Sequence, residues 1–358
     1  MRWFIVFATL IWVHFCSAQS PTYVLRHGKK VYLTAKTNAP NPMDDLWMAP
    51  GYHIPMYDTP EFGVVGTTIK GRFDADQALF KLFPGKHYYF SEDDGGKHEF
   101  AVTAWRMPQK RRRFIKDVGL DYWFPGERGT FTLVYKVVSF KDDSGRQFKY
   151  VVFEHNDLCT LDAALYAGVA FGANASIALF AKEDDNWVLT SFLLSAGSTG
   201  SYHQLTADLK VIKLGQNNYG LELYSPVNGP GGPSFGQTHL FAPVGNTIRL
   251  VYGNPLSAGY DFNARCGDWY TFLEPRTGSN MFNDLDVVVR GNYCLPSMAG
   301  GIFEDDSVGA APDEVFFKTA VADSFGYKIT RQYRYDGNEY KWQRTYYKTY
   351  AVKPKLKK

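Results

Sequence analysis

The sequence has little cysteine and almost no net charge for its length. Its 358 residues include four cysteines and carry a formal net charge of +3. No cysteine stands in a C-x-x-C or C-x-x-H spacing, and the zinc motif H-E-x-x-H and glycine-rich phosphate loops are absent. We therefore predict no metal site and no cofactor. A nucleic-acid partner is disfavoured, because such proteins usually carry a larger and more clustered basic excess.

Long apolar runs are also missing, except at the N-terminus. Met1 and Arg2 precede an apolar run over Trp3–Phe15, which is followed by Cys16-Ser17-Ala18. A basic start, an apolar core too short for a comfortable span and small residues at the end are typical of a secretory signal peptide. We predict a signal peptide at residues 1–18. The mature protein is then secreted or periplasmic and has no membrane span after cleavage; an uncleaved anchor is the alternative.

Three cysteines remain if Cys16 leaves with the signal peptide. In an oxidising compartment we expect a disulfide between Cys266 and Cys294, which flank a strand-like segment in the C-terminal half. Cys159 is then a small buried hydrophobic residue. A bridge from Cys159 to either partner stays open, because connectivity cannot be read from spacing.

Aromatic residues and turn formers are abundant. Aromatic residues make up 16% of the chain, and 33 glycines and 18 prolines supply turns. Aromatic and β-branched side chains suit a pleated, half-buried surface, so the composition favours a mainly β fold. Apolar segments separated by turn residues over Asn174–Gly253 predict an antiparallel meander. We expect a sandwich-like or propeller-like larger domain with a small β-rich N-terminal domain before it.

A basic run divides the chain into two predicted domains. Lys110-Arg111-Arg112-Arg113 lies in a segment that we interpret as a solvated linker, because adjacent cations repel one another and prefer water. An anion-binding patch is the alternative. The predicted bounds are 19–108 for the N-terminal domain, 109–116 for the linker, 117–350 for the larger β domain and 351–358 for a basic tail.

Local patterns predict individual elements. Asp74 is placed to cap a helix over Ala75–Phe83, and Pro84-Gly85 is placed to end it. Val64–Ile69 predicts a strand. The residues of Lys328–Tyr335 alternate in the way of a half-buried strand, with Ile329, Arg331, Tyr333 and Tyr335 on one side.

Two constellations could support hydrolysis. Gly232-Pro233-Ser234-Phe235-Gly236 matches the G-x-S-x-G nucleophile elbow, with His239 nearby. An elbow needs a helix after the serine, and nothing helical follows, so we interpret the motif as a glycine-rich loop. In Glu154-His155-Asn156-Asp157 the two carboxylates could tune His155 as a general base. We interpret this second group as a polar strand terminus.

Four acidic clusters fall where turns are expected. Asp and Asn tolerate unusual dihedrals and prefer water, so we interpret the clusters as turns rather than as calcium ligands or paired glycosidase carboxylates. They are Glu92-Asp93-Asp94, Asp142-Asp143, Glu183-Asp184-Asp185 and Glu304-Asp305-Asp306.

Aromatic residues around the scaffold are the remaining signal. Aromatic rings on a β scaffold can stack on sugar rings or anchor a protein partner. We predict binding through Trp47, Tyr52, Tyr57, Trp123, Trp269 and Tyr270. The group formed by Tyr340, Trp342, Tyr346 and Tyr347 lies in a strand-like segment, so we interpret it as core.

The expected function is non-enzymatic. Export signals, loops and aromatic residues are present while catalytic motifs are missing. We therefore expect a binding protein of the cell envelope or extracellular space that recognises a protein or glycan partner. The alternative is a secreted glycosidase or esterase that uses loop carboxylates or Ser234.

Overall fold

The computed structural model describes residues 23–26, 29–32, 56–57, 61–92, 99–108, 124–126, 129–157, 173–199, 205, 207–228, 234–260, 269–277, 281–294 and 324–350. Within these ranges the chain forms eighteen β-strands and one α-helix, which confirms the predicted mainly β fold. The strands stack in three layers, and the helix covers one outer side of the stack.

The first layer contains ten strands. Its main ladder is antiparallel, in the order β1–β2–β4–β5–β6–β7–β8–β9, while β3 pairs with β9 and β10 pairs with β8. The strands are β1 Tyr23–Arg26, β2 Lys29–Tyr32, β3 Thr68–Lys70, β4 Lys86–Glu92, β5 Glu99–Trp105, β6 Thr130–Lys141, β7 Gln147–Asp157, β8 Ala173–Glu183, β9 Asn186–Leu193 and β10 Ser198–Thr199.

The second layer is a four-stranded antiparallel meander. It contains β11 Asp208–Gly215, β12 Asn218–Asn228, β13 Ser234–Val244 and β14 Thr247–Tyr260. A single parallel pair, Thr247 with Phe192, joins β14 to β9 of the first layer. The first two layers therefore belong to one mixed, hydrogen-bonded sheet that folds back on itself.

The third layer is an antiparallel sheet built from the C-terminal part of the chain. It contains β15 Trp269–Arg276, β16 Asp284–Cys294, β17 Ser324–Tyr335 and β18 Tyr340–Tyr350. Only two residue pairs, Ala258 with Tyr270 and Gly259 with Trp269, connect it to β14 in the part of the chain that the structure describes.

The helix α1 spans Ala75–Leu82 and confirms the predicted helix, one residue shorter than expected. The Asp74 carboxylate accepts hydrogen bonds from the backbone N–H groups of Asp76 at 2.9 Å and Gln77 at 3.1 Å, as an N-cap should. The helix buries Ala78, Leu79 and Leu82 against the first layer.

Strands of the first two layers are buried on both faces. In β7, Tyr150 and Val152 pack toward the second layer, while Val151 and Phe153 pack under α1. This is the period-two alternation of a strand, with apolar residues on both sides. In β13, Phe241 likewise faces the first layer, whereas Leu240 and Ala242 face the third.

The third layer packs one of its faces against the second layer. Leu285 and Val287 of β16 and Tyr333 and Tyr335 of β17 pack against the second layer. The alternation predicted for Lys328–Tyr335 is confirmed by this inward-facing set. The opposite face carries the polar members of the same strands.

The acidic turn at Asp142-Asp143 connects the first layer to the second through side-chain hydrogen bonds. The Asp143 carboxylate accepts hydrogen bonds from Lys213 Nζ at 2.5 Å, from the Asn217 N–H at 3.0 Å and from the Tyr219 hydroxyl at 2.9 Å. The charged hydrogen bond from Lys213 holds the pKa of Asp143 at about 2. Asp142 accepts backbone N–H groups of its own turn. The interpretation of Asp142-Asp143 as turn chemistry is confirmed.

Two predictions about the elements are wrong: the strand over Val64–Ile69, and the glycine-rich loop at the G-x-S-x-G motif, whose residues 234–236 belong to the strand β13. The strand predicted over Val64–Ile69 begins only at Thr68, because Gly63 and Gly66 adopt φ values of +53° and +93° that form a turn. A Cβ on Gly63 would also lie 2.2 Å from the Phe192 ring. The strand β13 was not predicted, since Gly236 and Pro243 interrupt its apolar pattern.

The predicted linker at 109–116 lies outside the described residues. Strands on its two sides nevertheless pair directly, β5 with β6, so residues before and after it share one sheet. Cys159 and Cys266 also lie outside the described residues, and Cys294 is the last residue of β16. The disulfide and the domain bounds stay predictions.

Candidate functional site

A chain of hydrogen bonds surrounds His155 inside the first layer. The Trp105 indole N–H donates to Thr132 Oγ1 at 2.9 Å, and Thr132 Oγ1 lies 2.8 Å from His155 Nδ1. His155 Nε2 lies 2.5 Å from Ser176 Oγ, which donates to the Leu194 carbonyl. The chain therefore runs across β5, β6, β7 and β8.

The roles of the donors in this chain fix the tautomer of His155. Ser176 gives its one proton to the Leu194 carbonyl, so it accepts from Nε2–H. Nδ1 then carries no proton and accepts from the Thr132 hydroxyl. Burial among aromatic rings lowers the pKa of His155 to about 3, so the imidazole is neutral. Both ring nitrogens are occupied by partners within the protein.

Glu154 lies apart from His155 although the two are adjacent in sequence. Neighbouring residues of a strand project to opposite faces. His155 lies beside Phe83 on the α1 side, whereas Glu154 accepts from the side-chain amide of Asn156 at 2.9 Å on the other face. Asp157 ends β7 opposite Thr130. The structure therefore does not bring Glu154 to His155.

Ser234 and His239 lie on one strand, β13. Five residues of extended chain separate them, a distance of roughly 15 Å along the strand. Ser234 opens an eleven-residue strand that pairs on both sides, not a turn into a helix. Gly236, the last glycine of the motif, serves packing, since a Cβ there would lie 2.5 Å from the Tyr224 ring.

The predicted binding residues are placed only in part. Trp47, Tyr52 and Trp123 lie outside the described residues. Tyr57 is half-buried, and its backbone N–H donates to the Arg106 carbonyl at 3.0 Å. Trp269 and Tyr270 are the first residues of β15. Tyr270 pairs with Arg290 of β16.

Charged and aromatic side chains lie together on the side of the third layer that faces away from the second. We call this side the outer face. Its side chains are Phe272, Glu274, Asp286, Val288, Arg290, Lys328, Thr330, Gln332, Arg344, Tyr346 and Lys348, of which Val288 and Gln332 are buried among their neighbours.

Aromatic side chains stand at both ends of one cross-strand row of the outer face. Phe272 pairs with Val288, Val288 with Thr330, and Thr330 with Tyr346. Phe272 is 46% exposed and Tyr346 is 45% exposed. The guanidinium of Arg290 lies 5.6 Å from the Phe272 ring centroid, and that of Arg344 lies 5.1 Å from the Tyr346 ring centroid. These cation–π contacts hold the rings in place.

Trp342 is equally exposed but does not belong to the outer face. It is 47% exposed and lies beyond the β-bulge of β17 and β18, opposite the inward-facing Tyr333. Its indole N–H donates to Thr345 Oγ1 at 3.0 Å. The expectation that Tyr346 and Trp342 are core residues is wrong. Tyr346 lies on the side of β18 that faces away from the second layer, and Trp342 is 47% exposed although it pairs with the inward-facing Tyr333.

Basic side chains form the next row of the outer face. Arg290 pairs with Lys328, and Lys328 pairs with Lys348. Arg290 lies 3.7 Å from Glu274, and both are more than half exposed. Neither lysine forms an ion pair with a carboxylate in the described part of the chain. Two positive charges in this row are therefore uncompensated.

The acidic side chains of the outer face are neutralised. Asp286 lies 3.1 Å from Arg276 Nε, and Asp284 lies 3.3 Å from Arg276 Nη2. Arg344 Nε donates to Gln332 Oε1 at 2.6 Å, so its guanidinium is oriented without a carboxylate. The carboxylates of the outer face are thus paired with arginines, whereas Lys328 and Lys348 remain available to a ligand.

Comparison with known proteins gives no relative. No protein-family model, no curated protein and no solved structure matches this chain. Function must therefore be argued from the arrangement of side chains alone. Among the described residues, no cluster of three His, Cys, Asp or Glu side chains could hold a metal ion. No α-helix within those residues has the length and apolar character to cross a membrane.

Sequence reasoning missed the outer face. Phe272, Arg290 and Lys348 gave no separate signal, because residues on different strands become neighbours only through register. The alternation in β17 was the one available indication, since it placed Lys328 and Thr330 on the side opposite Ile329.

Proposed function

We propose that this chain is an exported, non-enzymatic binding protein that recognises a protein or glycan partner with its outer face. The observation that carries this proposal is the row with Phe272 and Tyr346 at its ends, both about half exposed and each held by an arginine. Rigid, exposed aromatic rings are efficient anchors for a ligand because little conformational freedom is lost on binding.

Binding has more support than hydrolysis. The two described histidines that hydrolysis could use do not stand beside an available nucleophile. His155 is fully buried with both nitrogens engaged, and His239 lies about five residues along a strand from Ser234. The outer face, in contrast, is accessible and built on strands that are fixed by a packed inner face.

A binding assay with matched variants tests the proposal. The mature protein is applied to an array of immobilised polysaccharides and to an immobilised fraction of extracellular proteins. We expect binding to at least one surface, weakened at least tenfold in Phe272→Ala/Tyr346→Ala, because one buried aromatic anchor contributes roughly 1–2 kcal/mol. Trp342→Ala is the control, since it removes an equally exposed ring outside the outer face.

Two results would overturn the proposal. One is the absence of binding on both surfaces. The other is binding that Phe272→Ala/Tyr346→Ala leaves unchanged while the fold, followed by circular dichroism, is intact.

A further inference from the structure

We propose that the partner is an acidic polysaccharide whose anionic groups lie along the row Arg290, Lys328 and Lys348. This inference rests on the proposed function and names the chemistry of its ligand. The three cations occupy adjacent strands in register, so their backbone positions span about 10 Å in a line perpendicular to the strands.

The basic row is unfavourable for the sheet by itself. Like charges placed directly opposite each other on neighbouring strands repel and reduce sheet stability. Lys328 faces a cation on both sides, Arg290 on β16 and Lys348 on β18. An anionic ligand across the row would convert this repulsion into attraction. The electrostatic energy of the basic row is therefore more favourable with an anionic ligand bound than in the free protein.

The neighbouring row supplies the second half of a sugar-binding surface. Phe272 and Tyr346 lie two residue positions along their strands from the basic row and therefore on the same face. The apolar face of a sugar ring packs against an aromatic ring, while its carboxylate or sulfate group reaches a cation beside it. A linear polymer lying across the four strands meets both rows along its length.

The acidic side chains lie beyond the aromatic row, on the side away from the lysines. Glu274 lies 3.7 Å from Arg290 and Asp286 lies 3.1 Å from Arg276 Nε, so both carboxylates are paired with arginines. The positive charge without a carboxylate partner among the described residues of the outer face is therefore on the side of Lys328 and Lys348, where we place the anionic groups of the ligand.

A polysaccharide fits these features better than a nucleic acid. Three cations on a flat surface match a thin chain with periodic charges, whereas nucleic-acid surfaces carry a larger basic excess than the net +3 of this chain. Binding to nucleic acid becomes an outcome of the test below.

The experiment measures binding of the mature protein to four probes by isothermal titration calorimetry. The probes are a sulfated polysaccharide, a polyuronate, neutral dextran and single-stranded DNA. We expect binding to one or both acidic polysaccharides, at least tenfold weaker in Lys328→Gln/Lys348→Gln. Lys136→Gln/Lys141→Gln is the control, since it removes the same charge from exposed positions of β6. This control should bind like the wild type.

Thermal stability is a second readout. If the two lysines served only to stabilise the fold, their replacement would lower Tm instead of raising it. Because the lysines repel, Lys328→Gln/Lys348→Gln should raise Tm by a few degrees while it weakens binding. The control pair should change neither quantity. A variant that binds poorly because it is misfolded would instead show a lower Tm.

The outcomes separate the two proposals. Binding to dextran or to a protein that needs Phe272 and Tyr346 but not the lysines would overturn the acidic polysaccharide and leave the binding function standing. DNA bound more tightly than both acidic polysaccharides would overturn it as well. Binding to no probe and no array would overturn both proposals.

Discussion

The buried hydrogen-bond chain around His155 and the basic row of the outer face are two polar groups of the β-sheets that differ in how the protein compensates them. In the first, every donor from Trp105 to Ser176 has one acceptor within the protein, and none of the rings is accessible. In the second, Lys328 and Lys348 face each other and have no carboxylate within reach among the described residues. Polar groups that the protein satisfies by itself serve its stability, whereas exposed groups that it leaves uncompensated are available to a ligand.

The largest expected effect comes from removing the histidine of the buried chain. His155→Ala removes the acceptor of the Thr132 hydroxyl and the donor to Ser176 Oγ, and it opens a cavity beside Phe83 and Phe124. We expect a loss of about 3 kcal/mol in the free energy of unfolding. Urea denaturation followed by tryptophan fluorescence measures it.

His239→Ala is the control for that substitution. His239 is only partly buried, on β13, so its loss should destabilise the protein by about 1 kcal/mol or less. Equal effects of the two substitutions would mean that the chain around His155 is not the stabilising unit.

A smaller effect is expected from pH. Burial sets the pKa of His155 at about 3 in the folded protein, below its ordinary value of 6.5. Between these values the unfolded chain binds a proton that the folded protein does not, so stability is full above pH 6.5 and falls as the pH falls toward 3. Acidification from pH 7 to 5 should therefore lower the free energy of unfolding by roughly 2 kcal/mol.

His155→Gln isolates this contribution. Its free energy of unfolding should change less between pH 7 and 5, because the amide does not titrate. Carboxylates with a lowered pKa, such as Asp143 at about 2, lose their contribution only at lower pH. The same pH slope in wild type and variant would contradict the assignment.

The smallest effect on stability is expected on the outer face. Phe272→Ala and Tyr346→Ala each remove a half-exposed ring and one cation–π contact, so each should change the free energy of unfolding by less than about 1 kcal/mol. Chemical denaturation measures it, with Phe241→Ala in the core as reference. A loss comparable to that of Phe241→Ala would remove the distinction between a binding surface and a packed one.

Much of the fold could be predicted from the sequence because local patterns determine it. Asp74 and Pro84-Gly85 marked the ends of the helix, and the alternation in Lys328–Tyr335 marked a strand with one buried face. The missed strand β13 contains Gly236 and Pro243, residues that usually interrupt strands. Gly236 is tolerated there because the Tyr224 ring covers it.

The candidate site could not be predicted, since it depends on contacts between distant residues. Arg290, Lys328 and Lys348 come from three strands, and only their register makes them neighbours. The exposure of an aromatic residue was also predicted incorrectly. Tyr346 was expected in the core because it lies in a strand-like segment, but an aromatic residue on the free face of an outer layer remains accessible.

The order of the layers has a consequence for how the chain is made. Most described strands pair with a neighbour in sequence, so each hairpin can close soon after it emerges from the ribosome. The third layer comes last and is attached to β14 by only two residue pairs in the described chain. Until it arrives, Leu240, Ala242 and Val251 of the second layer face water. The third layer thus carries the surface that we propose to bind the ligand, and it also covers the apolar face of the second layer. A nascent chain therefore becomes resistant to aggregation at the same step at which it becomes able to bind.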